Sequence, residues 1–441
     1  MSKFTGFLES KVMPVASRIA AQRHIRSLRD GLAITMPLII VGSVFMILAN
    51  IPVPGYQAWI NSIIPNFTNY MLYPVRVTFD IMALLATFSV SYHIARDKNH
   101  DGLAAGTLAL AAFLLLIPVL TVNETLADGS VMNLGRVFPA LNMSASGLVP
   151  GLLTAIISTE IFMFVVGKNW IVKMPESVPP AVSRSFAAIT PSFVILTLFL
   201  AVRVIFEHTP FETVFAFVQH YLSGPFERVG LSFGGMIGTV SAIHLFWSMG
   251  IHGARVVFGI MDSILLPAMD ANRVALEAGA EYLPHIVTKQ FHDIFVNGLG
   301  GSGSTLGLII AMLWLAKSKQ IKALGRIALG PALFNISEPI IFGIPIILNP
   351  IMMLPFIVAP IMNGVITYSL MHIGMVSFPA GIAIPWATPL GIGGFLATNG
   401  DIMGGLVQVL NVGVSFLIYL PFLKAYDRQL HKAELEAESE S

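Results

Sequence analysis

Apolar runs of about twenty residues recur along this chain, and each is closed by charged or turn-forming residues. A helix of that length spans the roughly 30 Å hydrocarbon core of a bilayer. The runs cover approximately residues 31–52, 76–95, 102–122, 148–167 and 187–206. After a more polar interval they resume at 231–250, 254–269, 291–316, 349–372 and 401–423. Charged residues make up 11% of the 441 positions and hydrophobic ones 55%, where soluble domains carry about a quarter charged. The sequence therefore reads as a polytopic membrane protein. The first thirty residues are too polar for a cleavable leader, and no small-residue cleavage site follows a short apolar core.

The placement of the basic residues orients the spans. Arg96 and Lys98 follow the second run, Lys168, Lys173 and Arg184 the fourth, and Lys317, Lys319, Lys322 and Arg326 the eighth. Lys424, Arg428 and Lys432 follow the tenth. Positive residues mark the cytoplasmic side, which puts both termini there. Residues 1–30 place Val12, Val15, Ala16 and Ile19 at helical spacing beside Lys11, Arg18, Arg23, Arg26 and Arg29. That pattern suits an amphipathic helix on the cytoplasmic leaflet, with a solvated basic leader as the alternative. Residues 207–230, with Phe211, Val214, Phe215 and Val218, read as an interfacial linker between two halves. The loops at 53–74 and 123–147 read as irregular polar turns. The acidic end, 429–441, reads as a disordered cytoplasmic tail.

The halves differ in kind. The first, 31–206, is nearly free of helix breakers. The second, 231–428, contains NISEPIIFGIPIILNP at 335–350, in which one carboxylate, Glu338, sits among apolar residues and prolines. A charge at membrane depth costs about 2.5–3.5 kcal/mol on insertion scales and normally faces a cavity or a partner. Pro339, Pro345 and Pro350 each remove a backbone donor, so no straight spanning helix fits. Broken backbone at that depth lines transporter substrate sites; the alternative is a kinked packing helix with Glu338 in a structural salt bridge. A second break at 378–400 holds Pro379, Pro385, Pro389, Gly391, Gly393 and Gly394. The expected fold is thus an all-α polytopic membrane protein with about ten transmembrane helices. Two re-entrant hairpins interrupt its second half, and amphipathic helices lie at the interface.

Several polar and aromatic groups accompany the breaks. Glycines flank His252 and allow close approach, although a lone histidine also serves as a hydrogen-bonded packing residue. Asn335 lies one helical turn before Glu338 and would share its face if that turn were helical. Its amide suits a polar ligand and equally suits hairpin packing. Trp386 and Trp247 could stack on a ligand's ring face, or anchor and fill as tryptophans commonly do. Asp80 and Glu160, in the first half, read as inter-helix hydrogen-bonding groups. GLGGSG at 298–303 matches a dinucleotide-binding pattern, but no strand precedes it and an apolar run follows. Its backbone at Gly301 and Ser302 could still face a polar or anionic ligand. No cluster has metal-ligand spacing, no cofactor is called for, and nothing points to nucleic acid. The chain has no cysteine, which removes disulfides and any thiol nucleophile or phosphocarrier.

Asn-x-x-Glu-Pro-Ile-x-Phe-Gly-x-Pro followed by Asn-Pro resembles the motif of the membrane-embedded IIC component of bacterial phosphotransferase-system sugar permeases. The resemblance is closest to the lactose/cellobiose/diacetylchitobiose family. FWSMGIHG at 246–253, GGSGSTLGL at 300–308 and GGFLATNGD at 393–401 agree with it in order. The family more often carries Ala-Thr-Gly-Gly-Asp in the last, so Asn399 is a departure. The resemblance implies inward transport of a disaccharide, of cellobiose or diacetylchitobiose type, and its phosphorylation by a phosphocysteine on a IIB component. Without cysteine here, IIB must be a separate polypeptide, fed by IIA, and this chain is not catalytic alone. The resemblance also implies a homodimer through the first half and membrane lipid around it. Glu338 would accept hydrogen bonds from the sugar and hold or deprotonate the reacting hydroxyl, with His252 orienting it. An ion-coupled secondary transporter, with Glu338 as proton site, is the alternative from another class.

Overall fold

The computed structural model describes residues 14, 18 and 21–440, apart from 50, 52–54, 126–130, 176, 345 and 348. Most of the expected amphipathic segment, including Val12, Val15, Ala16 and Ile19, lies outside the described residues, as does Pro345. The chain forms two compact units that do not follow chain order. One comprises Gln22–Gly42 and Tyr73–Arg228; in the other, Ser43–Leu72 joins Val229–Ser441.

The first unit is built on α1 (Arg23–Ala33), the start of α2 (Met36–Ala49), the end of α3 (Phe67–Phe79) and α4 (Met82–Asp97). It continues with α5 (Gly102–Leu116), α6 (Leu148–Gly167), α7 (Pro180–Ala187) and α8 (Ile189–Glu207). α4 packs on α1, α5 and α6, and α5 also meets α8. In a bilayer, lipid tails compete equally for apolar side chains, so helices associate through small residues and hydroxyl pairs. The α4–α6 seam shows this. The Ser91 and Thr159 hydroxyls meet at 2.6 Å, and a Cβ at Gly151 would stand 2.4 Å from the Thr87 hydroxyl. Glu160 on α6 accepts from Arg23 and, at 2.8 Å, from His24 Nε2 on α1. It is an inter-helix bonding group, as its type and depth suggest.

The loop after α5 is not irregular. β1 (Leu120–Thr125) and β2 (Val131–Val137) pair antiparallel, Leu120 opposite Val137, so the fold is predominantly rather than wholly helical. β-Branched residues on both sides of Asp128-Gly129 carried that hairpin signal.

The second unit contains α9 (Phe233–Ser248), α10 (Gly253–Glu277), α11 (Leu306–Leu315) and α12 (Lys319–Leu333). α13 (Glu338–Gly343), α14 (Pro350–His372), α15 (Ile392–Ala397) and α16 (Ile402–Glu440) complete it. α16 is its spine and packs on α11, α14 and α15. Buried amides and hydroxyls bind α14 to α16: Asn363 to Ser415, and Asn411 to Thr367, both at 2.8 Å. The acidic tail is helical rather than disordered, because α16 runs through AELEAESE to Glu440. Alanine, leucine and glutamate are strong helix formers and simply extend the turn already nucleated. Two of its carboxylates hold the α11–α12 turn. Asp427 accepts the backbone N–H groups of Lys317 and Ser318 at 2.9–3.0 Å. Glu434 accepts the Ser318 hydroxyl at 2.7 Å and the N–H groups of Lys319 and Gln320 at 3.0 and 3.1 Å.

Among the described residues six helices are long and apolar enough to cross a membrane, or seven counting one bent pair. Three expected spans have another form. The run at 102–122 is helical only to Leu116 and continues as strand from Leu120. That at 254–269 lies inside the longer, polar-ended α10. The run at 291–316 begins as a π-helical turn, Phe291–Val296, and becomes regular helix only at Leu306, beyond the glycine loop.

Candidate functional site

The breaks in the second unit converge on Asn335. Its backbone is left-handed (φ +62°), a conformation asparagine tolerates better than most residues. Its side chain is 7% exposed. Oδ1 accepts the Gly300 N–H at 3.0 Å, while Nδ2 donates to the carbonyls of Trp386 at 2.6 Å and Thr388 at 3.1 Å. One amide thus ties the glycine loop, the 335–350 stretch and the second break into a knot. Gly301 sits against it with φ +82°; a Cβ there would stand 2.5 Å from the Asn335 carbonyl oxygen and 2.9 Å from the Ser337 side chain. Only glycine meets both demands. Ser302 follows in the same loop, half-buried.

Asn335 and Glu338 do not share a helical face. The left-handed turn at Asn335 interrupts the helix, and α13 starts only at Glu338, with Pro339 fitting its first turn. Glu338 is exposed. Among the described residues it makes no ion pair or side-chain hydrogen bond. The packing alternative, a structurally salt-bridged Glu338, finds no partner cation among the described residues.

Trp247 and His252 form a second cluster, their ring centroids 4.4 Å apart at 42°. His252 caps α10, Nδ1 accepting the Arg255 N–H at 3.4 Å. Trp247 is 5% exposed, and its indole N–H has no acceptor among the described residues. A Cβ at Gly253 would fall 1.8 Å from the Ile243 carbonyl oxygen, so this glycine lets the start of α10 lie directly on α9. A Cβ at Gly250 would lie 3.6 Å from the Ile347 side chain, which sets the turn against the 335–350 stretch. Trp386 differs from Trp247: its side chain is 51% exposed while its carbonyl is held by Asn335.

Composition and motif reading missed the amides that support the second break. Irregular backbone in an apolar setting needs side-chain partners for every exposed N–H and C=O. Asn272 on α10 donates to the Pro379 carbonyl at 2.6 Å and to the His285 carbonyl at 2.7 Å. Burial holds the His285 imidazole below the usual histidine range. Gln408 on α16 accepts the N–H groups of Gly391 and Gly394 at 2.8 Å, and donates to Ile294 at 2.8 Å. Gln290 donates to the Ile382 carbonyl, and Ser43 accepts the Ala383 N–H at 2.8 Å. The available signal was the occurrence of single amides in apolar runs. Among the described residues no three metal-ligating side chains cluster.

The second unit offers a carboxylate unpaired among the described residues and an exposed indole face on its two breaks, and a capped imidazole in the turn between α9 and α10. That set can hydrogen-bond a polyol and stack on its ring faces. The family model described as phosphotransferase system, EIIC, matches residues 29–360. The chain is 45% identical to the lichenan permease IIC component of Bacillus subtilis, over 99% of this chain and 97% of that one. It is 42% identical to a cellobiose-specific EIIC component of Geobacillus stearothermophilus, over 97% and 95%. It also superposes with a TM-score of 0.92, at 43% identity over 97% and 99% of the two chains, on a solved transporter. That structure is ChbC, the IIC component of an N,N'-diacetylchitobiose-specific phosphotransferase system.

Proposed function

Because this chain belongs to the phosphotransferase system EIIC family, we propose that the tethered breaks of its second unit form the sugar site of a disaccharide permease. It is a membrane-embedded sugar permease that works with IIA and IIB phosphocarriers. The proposed substrate is a β-linked disaccharide of cellobiose or diacetylchitobiose type, because relatives at 42% and 43% identity are named for those two sugars.

The observation that carries the site is Glu338, an exposed carboxylate without a partner among the described residues, beside a knot of satisfied amides. A charge placed at such a break and left unpaired is poised for a polar ligand. Glu338 accepts hydrogen bonds from sugar hydroxyls, and His252, its ring tilted against Trp247, orients the hydroxyl that reacts. Trp386 offers its exposed face to a pyranose ring, Trp247 backs the histidine, and Gly301 and Ser302 bring backbone N–H groups close. Asn335 spends its amide on the loops and positions the site.

In the transfer step the sugar hydroxyl oxygen forms a bond to phosphorus as the phosphorus–sulfur bond of phospho-IIB breaks. Glu338 takes the hydroxyl proton, and the cysteine thiolate leaves. With no cysteine in these 441 residues, that donor lies outside them. The remaining reading completes the picture: about ten spans, re-entrant hairpins at 335–350 and 378–400, a scaffold half at 31–206 that forms a homodimer, a transport half at 231–428, and termini in the cytoplasm.

The test is uptake of a labelled disaccharide panel into vesicles carrying this chain, with and without phosphoenolpyruvate, the general phosphotransfer proteins and a matching IIA/IIB pair. Sugar phosphate accumulating only with the full relay is the expected result. Free sugar accumulating on an ion gradient alone would overturn it.

A further inference from the structure

We infer that the first unit carries a binding site for one anionic phospholipid, its phosphate at Arg96 and Arg184 and an acyl chain along the groove between α5 and α8. The head of the site is a cavity of about 750 Å³ between the α4–α5 turn and the α7–α8 junction. Its polar lining includes Arg96, Asn99, His100, Asp101, Arg184 and Ser185. Neither arginine pairs with a carboxylate among the described residues. Asp97 pairs with Arg26. Asp101 lines the cavity too, where one of its carboxylate oxygens is held by the Leu103 and Ala104 N–H groups at 3.0 and 3.1 Å. Two guanidiniums with no carboxylate partner among the described residues, beside an amide and an imidazole, are a donor set that binds a phosphate diester.

The same helix pair continues the site. A second cavity of about 580 Å³ is walled by Leu114, Leu115, Phe193, Leu196 and Leu200. The two meet in sequence: Leu108 and Ser192 line the first, Ala111 and Phe193 the second. From Leu103 to Leu115 α5 rises about 18 Å, close to half of the roughly 30 Å hydrocarbon core. That is one acyl chain. Phe193 is 73% exposed on the groove wall, so an apolar occupant has surface to cover. At the far end Arg203 donates to the Leu115 carbonyl at 2.9 Å and pairs with Glu207 at 2.8 Å. Its charge is spent, so uncompensated positive charge remains at one end only, and the lipid can enter in one direction.

The experiment is native mass spectrometry of the full-length protein released from vesicles containing phosphatidylglycerol and phosphatidylcholine. Wild type should retain phosphatidylglycerol preferentially, and R96Q and R184Q should each lower that retention by about fivefold, the worth of one interfacial cation. Leu196→Trp, which fills the tail groove and leaves both arginines, should lower it as well. Unchanged retention in the arginine variants overturns the site. Full displacement by millimolar inorganic phosphate, with L196W silent, would make it a free-phosphate site instead. If L196W splits a dimer into monomers while phosphatidylglycerol retention stays constant, the groove is a contact for a second copy of the chain and the lipid assignment fails.

Discussion

The side-chain amide of Asn335 donates to the main-chain carbonyl of Trp386, fifty-one residues away, at 2.6 Å. The contact fixes the backbone of the one candidate indole whose ring remains open, and it is made by the residue three before the unpaired carboxylate. Substituting Asn335 should therefore damage the site without removing a ligand. Asn335→Ala loses three hydrogen bonds and leaves buried groups unsatisfied, at about 1 kcal/mol or more each. It also places alanine in a left-handed turn, for a further cost of about 1 kcal/mol. Asn335→Gly bears the first loss and escapes the second. The order of melting temperatures should be wild type, Asn335→Gly, Asn335→Ala, with sugar affinity falling in parallel.

Glu338→Gln should behave in the opposite way. The carboxylate has no partner among the described residues to lose, so stability should stay within about 0.5 kcal/mol of wild type. Relay-dependent sugar phosphate formation should fall about 10²- to 10⁴-fold, the usual worth of a general base. A large drop in melting temperature with transport intact would return Glu338 to a structural role.

Gly253→Ala places a methyl 1.8 Å from the Ile243 carbonyl oxygen. The start of α10 must then shift, and His252, its cap, shifts with it. Overpacking of this kind costs about 1–3 kcal/mol. Calorimetric sugar titration should show weaker binding even where the protein purifies normally.

Gln408→Leu strips the partners from Gly391, Gly394 and Ile294 together. Each buried orphan costs about 1–3 kcal/mol, so the variant should fail to accumulate in the membrane. Gln408→Glu keeps the acceptor for both glycine N–H groups and loses only the donor to Ile294. It should accumulate at reduced yield, read by fluorescence-detected size exclusion.

These expectations also mark where the sequence was legible. Hydropathy located the long helices, and the prolines and glycines around Glu338 and Trp386 showed where backbone order would fail. A run of apolar residues, however, cannot say whether it is one helix or a π-turn, a loop and a shorter helix. The stretch from Phe291 to Ala316 is the second, because glycines at 298–303 take backbone shapes other residues cannot. The roles of Asn272, Gln408 and Asn335 were hidden for another reason. An amide's partner is a main-chain group many residues distant, and spacing along the chain does not encode it. The same holds for the tail: AELEAESES has the composition of disorder and the propensity of helix. Its contacts through Glu434 with the Ser318 turn favour the helix.

That last contact has a consequence in time. Ser318 and the carboxylate that receives its hydroxyl are 116 residues apart. At translation rates of roughly 5–20 residues per second, the turn waits about 6–23 seconds for its partner to be made. Until then the first N–H groups of α12 face water or lipid headgroups. The turn can close only after every other span of its unit has been synthesised, so it reports completion of the unit. A ribosome stalled before Glu434 would leave a chain whose membrane helices are present and whose turn at Ser318 is still open to proteases.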